Sequence, residues 1–186
     1  MSLTNTNIES LIELCKVQNQ KAQMEIYNRY YKAMFNTSYR IVKDHFEAED
    51  IMQESFLTAF SKLDTLKDIS TFGSWLKRIV INNSIQHYKK SDTHKSMPLD
   101  DILYKVEDSS STLNSDELSE KSLKVNTVVK AMNTLKDNYR IALSLHFIEG
   151  YDYEEMCTIM DISYSNCRTT VSRAKESLRK RLQTSA

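Results

Sequence analysis

Three small hydroxyls and two guanidinium groups gather near the C-terminal end of the sequence. Ser165, Thr169, Ser172, Arg173 and the acid Glu176 share one face if this stretch is helical, and Arg168 lies on its flank. Short hydroxyls and arginines are suited to hydrogen-bonding base edges and phosphates. Between Arg168 and Arg181 the chain adds Lys175, Arg179 and Lys180, and the one acid is Glu176. That is the electrostatic footprint of a nucleic-acid contact. A terminal helix with a solvated charged face would read the same way, so the elements around it must decide.

The opposite face of this helix is apolar. Cys167, Val171, Ala174, Leu178 and Leu182 recur at spacings of four and three and are expected to pack inward. A second, shorter helix is expected just before it. Gly150 suits a left-handed helix stop. Asp152 and Glu155 have the spacing of a capping box, which starts a helix. Asp161-Ile162-Ser163 reads as a tight turn, with Ser163 capping the basic helix. A short capped helix, a three-residue turn and a longer basic helix predict a helix-turn-helix, which lays its second helix in the major groove. The capped helix and the basic face are independent signals, and together they favour DNA binding.

A second basic element lies in the N-terminal half. The stretch Ser74–Lys90 carries Lys77, Arg78, His87, Lys89 and Lys90 and no acid. A turn at 68–73 precedes it. Bases lifted from a duplex are held by stacking and by backbone-tracking cations. The turn and the polar outer residues Asn82 and Gln86 are the candidates for base contact. Trp75 is read as a core residue of its bundle. Before it, a helix over 21–43 and another from about Phe46 are expected. Ala48, Ile51, Met52, Ser55, Phe56, Ala59, Phe60 and Leu63 make an inward stripe on the latter, leaving Asp50, Gln53, Glu54 and Leu57 outside. A leucine among acids and an amide suits a protein interface, although single exposed leucines are common.

Composition limits the alternatives. The 186 residues include two glycines and one proline, with no Val/Ile/Thr alternation, so an all-α fold is expected. Lys plus Arg and Asp plus Glu number 25 each, so any DNA contact must come from local basic patches. Cys15, Cys157 and Cys167 are isolated, and Cys157 and Cys167, at inward helical positions, read as reduced core residues of a cytosolic protein, a redox pair being the alternative. His45, His87, His94 and His146 lack metal-ligand spacing, and no glycine-rich phosphate loop is present. No cofactor, metal site or catalytic constellation is expected, so the chain is not read as an enzyme. No signal peptide or membrane-length apolar run is seen. From Ser91 to Glu120 the sequence holds Pro98, a serine run and eight acids against two lysines. That is a linker composition, with a short helical turn allowed at Leu99, Ile102, Leu103 and Val106. It suits either a flexible tether or an acidic strand in a basic channel of a partner. Periodicity resumes near Leu118 and runs through Leu123, Val128, Met132 and Leu135.

The run Glu49-Asp50-Ile51-Met52-Gln53-Glu54-Ser55-Phe56-Leu57-Thr58-Ala59-Phe60, then Phe72-Gly73-Ser74-Trp75-Leu76-Lys77-Arg78-Ile79-Val80-Ile81-Asn82-Asn83, then the helix-turn-helix, resembles the bacterial RNA polymerase sigma factors of the extracytoplasmic-function group. The resemblance covers about 20–90 and 125–182. It implies two small helical domains joined by an acidic linker: region two over 1–92, the linker over 93–122, and region four over 123–186.

The resemblance also implies roles. Asp50, Gln53, Glu54 and Leu57 match the surface that grips the largest subunit of core RNA polymerase. Ser70, Thr71 and Phe72, with Arg78, Asn82 and Gln86, match the part that melts and captures the −10 promoter element on its non-template strand. Ser165, Arg168, Thr169, Ser172 and Arg173 fall on the helix that contacts the −35 duplex. The linker matches a segment threading the RNA exit path. A membrane anti-sigma factor is a further partner the family allows. Where the family has proline, Lys136 follows Leu135, leaving Asp137 to cap the next helix. Asp161 replaces a turn glycine, and aspartate tolerates the left-handed conformation. Thr170 stands where a basic residue is common, which bears on promoter preference. The reading is a cytoplasmic promoter-specificity subunit. The alternatives are a stand-alone helix-turn-helix regulator, which would need a dimerising element, and a helical protein-binding adaptor.

Overall fold

The structure is a computed structural model that describes residues 3–95 and 120–184. It contains eight α-helices and no strand among the described residues. The chain forms two compact units, Met1–Ser91 and Asp92–Ala186. The linker expected over 93–122, with its turn at Leu99–Val106, lies mostly outside the described residues.

In the first unit the first three helix starts are each fixed by a local polar side chain. Asn7 accepts from the Ser10 amide at 2.9 Å and opens α1 (Ile8–Lys16). Asn19 accepts from the amides of Lys21 and Ala22 and opens α2 (Gln20–Val42). Asp44 accepts from the Glu47 amide and opens α3 (His45–Ser61). Each satisfies amides that have no partner inside their own helix. Helix α1 was not expected from sequence. Two short 3-10 turns, Leu63–Thr65 and Ile69–Thr71, then lead to α4 (Phe72–Lys95).

These helices bury one core. Leu11 and Ile12 of α1, Ile26 of α2, Phe56 of α3 and Leu76 of α4 are almost wholly removed from water. Burying such a side chain contributes about 1.5–3 kcal/mol. A polar seam runs through the packing. The Ser84 hydroxyl lies 2.9 Å from that of Ser38 and 2.7 Å from the Val80 carbonyl. Asn83 donates to the Ser55 hydroxyl at 2.9 Å, and that hydroxyl donates to the Ile51 carbonyl. These small residues let the helices approach closely while their polar atoms stay satisfied.

The second unit contains α5 (Glu120–Asn133), α6 (Asp137–Leu143), a π-helical turn (Ser144–Ile148), α7 (Tyr153–Met160) and α8 (Tyr164–Thr184). Helices α5, α6 and α7 all pack on α8, with Met132, Leu135, Leu143 and Ala174 in one cluster. Val128, expected to continue the inward stripe, is instead part exposed, as are Val125 and Val129. Asp137 is not the cap of α6. It is the first helical residue, and its carboxylate is drawn to the buried Arg140, whose guanidinium donates to it at 2.8 Å. Lys136 occupies the cap position without a side-chain bond.

Candidate DNA and polymerase interfaces

The helix-turn-helix forms by the local chemistry expected of it. Gly150 has φ +80° and ends the π turn. Asp152 accepts from the Glu155 amide at 2.8 Å, and Glu155 accepts from the Asp152 amide at 3.2 Å, so the capping box is complete. Asp161 adopts the left-handed conformation, φ 56°, at the end of α7. The Ser163 hydroxyl then accepts from the Asn166 amide at 3.3 Å and opens α8. Cys167, Val171 and Ala174 are fully buried against the other helices. Packing of that face fixes which way the rest of α8 points.

Ser165, Arg168, Thr169, Ser172 and Arg173 are all exposed and line one open hollow along α8, of about 480 Å³. Thr169 donates to the Ser165 carbonyl at 2.8 Å, which holds the hydroxyl oxygen as an outward acceptor. No acid lines the hollow, and Tyr164 closes it at the start of the helix. Tyr164 was not singled out from sequence, since an aromatic at a helix start carries no spacing signal. The Tyr164 ring meets Tyr153 edge-on with centroids 6.1 Å apart, and Tyr153 stacks on His146 at 5.0 Å.

On α3, Asp50, Gln53, Glu54 and Leu57 are exposed, Leu57 at 70%. Gln53 and Leu57 also line an open groove between α2 and α3, of about 540 Å³, with Met24, Tyr27, Phe56 and Phe60. Asp50 and Glu54 do not line it. The α2 side of this groove was missed from sequence; Met24, 60% exposed among polar neighbours, was the available signal.

At the turn before α4, Ser70 and Thr71 are exposed. Asp68 organises them: its carboxylate accepts from the Ser70 hydroxyl at 2.7 Å and from the Ser70 amide at 2.9 Å. These bonds hold its carboxyl below the usual range. Arg78, Asn82 and Gln86 are exposed one helical turn apart. Phe72 does not join them. Its ring is 1% exposed, meets Tyr30 edge-on at 5.4 Å and lies 6.0 Å from Trp75. The helix begins at Phe72, two residues earlier than expected, so Phe72, Leu76 and Val80 fall on one buried stripe. Unlike Ser70 and Thr71, its side chain is placed in the core, where it supports the turn from behind.

Among the described residues no group of His, Cys, Asp and Glu is placed to hold a metal, and no helix is long and apolar enough to cross a membrane.

Two family descriptions match the chain in the order of its units. Sigma-70 region 2 matches residues 26–93, and Sigma-70, region 4 matches residues 126–178. Together they take in most of the sequence. The chain is 28% identical over 182 residues to the ECF RNA polymerase sigma factor SigW of Bacillus subtilis, covering 95% of this chain and 97% of that one. The chain belongs to the extracytoplasmic-function group of sigma factors. The RNA polymerase sigma-H factor of Pseudomonas aeruginosa is 27% identical over 192 residues, covering 97% of this sigma factor and 96% of its own length. The fold agrees with that of the sigma factor RpoE, solved with the anti-sigma factor NepR from Bartonella quintana, at a TM-score of 0.57 and 21% identity, covering 86% and 96% of the two chains. CnrH, solved with the cytosolic domain of CnrY, gives a TM-score of 0.55 at 18% identity, with 96% and 99% covered. As a sigma factor, the chain directs promoter-specific transcription initiation.

Proposed function

We propose that this sigma factor binds core RNA polymerase through the outer face of α3, reads the −35 duplex through α8, and captures the −10 non-template strand with the turn and outer face of α4. The observation that carries the reading is the α8 surface. Five side chains singled out for hydroxyl and guanidinium chemistry share one acid-free hollow on a helix whose other face is buried. In this reading Asp50, Gln53, Glu54 and Leu57 meet polymerase. Ser70, Thr71, Arg78, Asn82 and Gln86 meet the opened strand, without Phe72. Ser165, Arg168, Thr169, Ser172 and Arg173 meet the duplex. The division into region two (1–92), linker (93–122) and region four (123–186) belongs to the same proposal, as does passage of the acidic linker along the RNA exit path. The protein is not an enzyme: polymerase performs the chemistry, in the cytoplasm. In this reading an anti-sigma protein restrains it, by analogy with RpoE, which was solved with the anti-sigma factor NepR.

The test separates the surfaces. Changing Asp50 and Gln53 to alanine in the tagged full chain should reduce co-purification of core polymerase while helicity stays normal. Changing Ser70 and Thr71 to alanine should spare co-purification and suppress permanganate reactivity of melted thymines at a promoter. A turn variant that opens the promoter normally would place strand capture elsewhere.

A further inference from the structure

We propose that Tyr164 is a further promoter contact: its phenol donates an uncharged hydrogen bond to a phosphate of the backbone flanking α8. This rests on the reading of α8 as the −35 interface.

Tyr164 is half exposed and lines the same hollow as Ser165, Arg168, Thr169, Ser172 and Arg173. Its ring is braced. The edge-on contact to Tyr153 at 79° and the stack of Tyr153 on His146 at 22° join α8, α7 and the π turn through three rings. The Nδ1–H of His146 donates to the Tyr151 carbonyl at 2.9 Å, which fixes the far end of the brace. A side chain already ordered in the free protein loses little entropy when it makes a contact.

Position argues for phosphate over base. Tyr164 is the first residue of α8 and leans on the first residue of α7. In a helix-turn-helix the second helix enters the groove while the first crosses the backbone. A donor braced at the seam of the two helices lies beside the helix that crosses the backbone, which favours a phosphate partner for the phenol. Tyrosine hydroxyls are among the donors that proteins use for phosphate oxygens. A phenol donates without bringing charge, so it leaves a signature that an arginine cannot.

Binding is measured with the full chain assembled on core polymerase, against a duplex selected by that complex from a randomised pool and against an unrelated duplex. Tyr164→Phe keeps the ring on Tyr153 and removes only the donor. It should weaken binding about two- to ten-fold, the loss of one uncharged hydrogen bond. The loss should be equal on both duplexes, and the slope of log affinity against log salt should not change. Arg168→Ala is the comparison: a charged phosphate contact lowers that slope by about one. Wild-type affinity for Tyr164→Phe would overturn the proposal. So would a loss confined to the selected duplex, since that places the phenol on a base. If Arg168→Ala and Arg173→Ala are also without effect, the α8 reading itself fails and this inference with it.

Discussion

Replacing Phe72 by leucine tests whether its ring belongs to the core or to the promoter. The ring is 1% exposed and packs on Tyr30 and Trp75. Truncation to alanine would cost about 3–5 kcal/mol, a large share of the roughly 5–15 kcal/mol that holds a typical domain together. Leucine keeps most of the volume. It removes a few carbons at about 0.8 kcal/mol each, and one or two ring contacts at about 0.5–1.5 kcal/mol each, part of which relaxation recovers. A net loss of about 1.5–2.5 kcal/mol is expected. With a urea slope near 1.5 kcal/mol/M, the midpoint should fall by about 1–1.5 M. Trp75, the one tryptophan of the sequence, sits beside the substitution and reports the first unit alone by fluorescence. In parallel, the folded variant should bind single-stranded −10 DNA within about two-fold of wild type, less than the loss of one hydrogen bond. An unchanged urea midpoint with strand binding lost would refute the reasoning and return Phe72 to the DNA surface.

Asp152→Ala removes one half of the capping box and should destabilise the second unit by about 0.5–2 kcal/mol, read from far-ultraviolet circular dichroism in urea, with polymerase binding intact. The Asp68 carboxyl is lowered from its ordinary 3.8 by the Ser70 hydroxyl, then by the Ser70 amide. A depressed carboxyl contributes stability that is present above the ordinary value and lost as pH falls through the lower folded value. The Ile69–Thr71 turn should therefore loosen only below that window; a carbon-13 titration of Asp68 with an ordinary midpoint would contradict this. Burial pushes the thiols of Cys15 and Cys167 up to about 11, the neighbouring Cys157 adding to the shift at Cys167. At pH 8 both should resist iodoacetamide, while half-buried Cys157 takes up about one equivalent. Mass spectrometry showing Cys15 labelled first would count against this packing.

What was legible in the sequence was what local chemistry decides. The stops and starts around α7 and α8 depend on Gly150, Asp152, Glu155, Asp161 and Ser163, each acting within a few residues of itself. The inward stripe of α3 was legible because its period runs unbroken over four turns. Helix α1 went unread because nine residues give the period little length, although Asn7 ahead of Ile8, Leu11, Ile12 and Cys15 carried its signal. Burial of Phe72 was not legible because the sequence groups it with the turn, and its stripe with Leu76 and Val80 shows only once the helix start is known. The π turn has no residue-type signature. Arg140 through Leu145 are buried in succession, so no solvent face marks the period there, and packing sets the winding. For the candidate surfaces, side-chain type and face were readable. The groove between α2 and α3 was not, since it joins residues as far apart in the sequence as Met24 and Leu57.

The stop at Gly150 has a stereochemical consequence. With φ at +80°, the residue lies where amino acids of the natural hand are strained, yet a Cβ built there would meet nothing within 4 Å. The position thus selects for hand and not for size. Alanine of the natural series would be opposed by its own backbone alone. Its mirror image would sit at ease in the same space and would narrow the range of conformations open to the unfolded chain. A semisynthetic protein carrying D-alanine at this one position would keep the α7 start and its capping box in place. It would enter the helix-turn-helix from a corner stiffer than any genetically encoded residue can make.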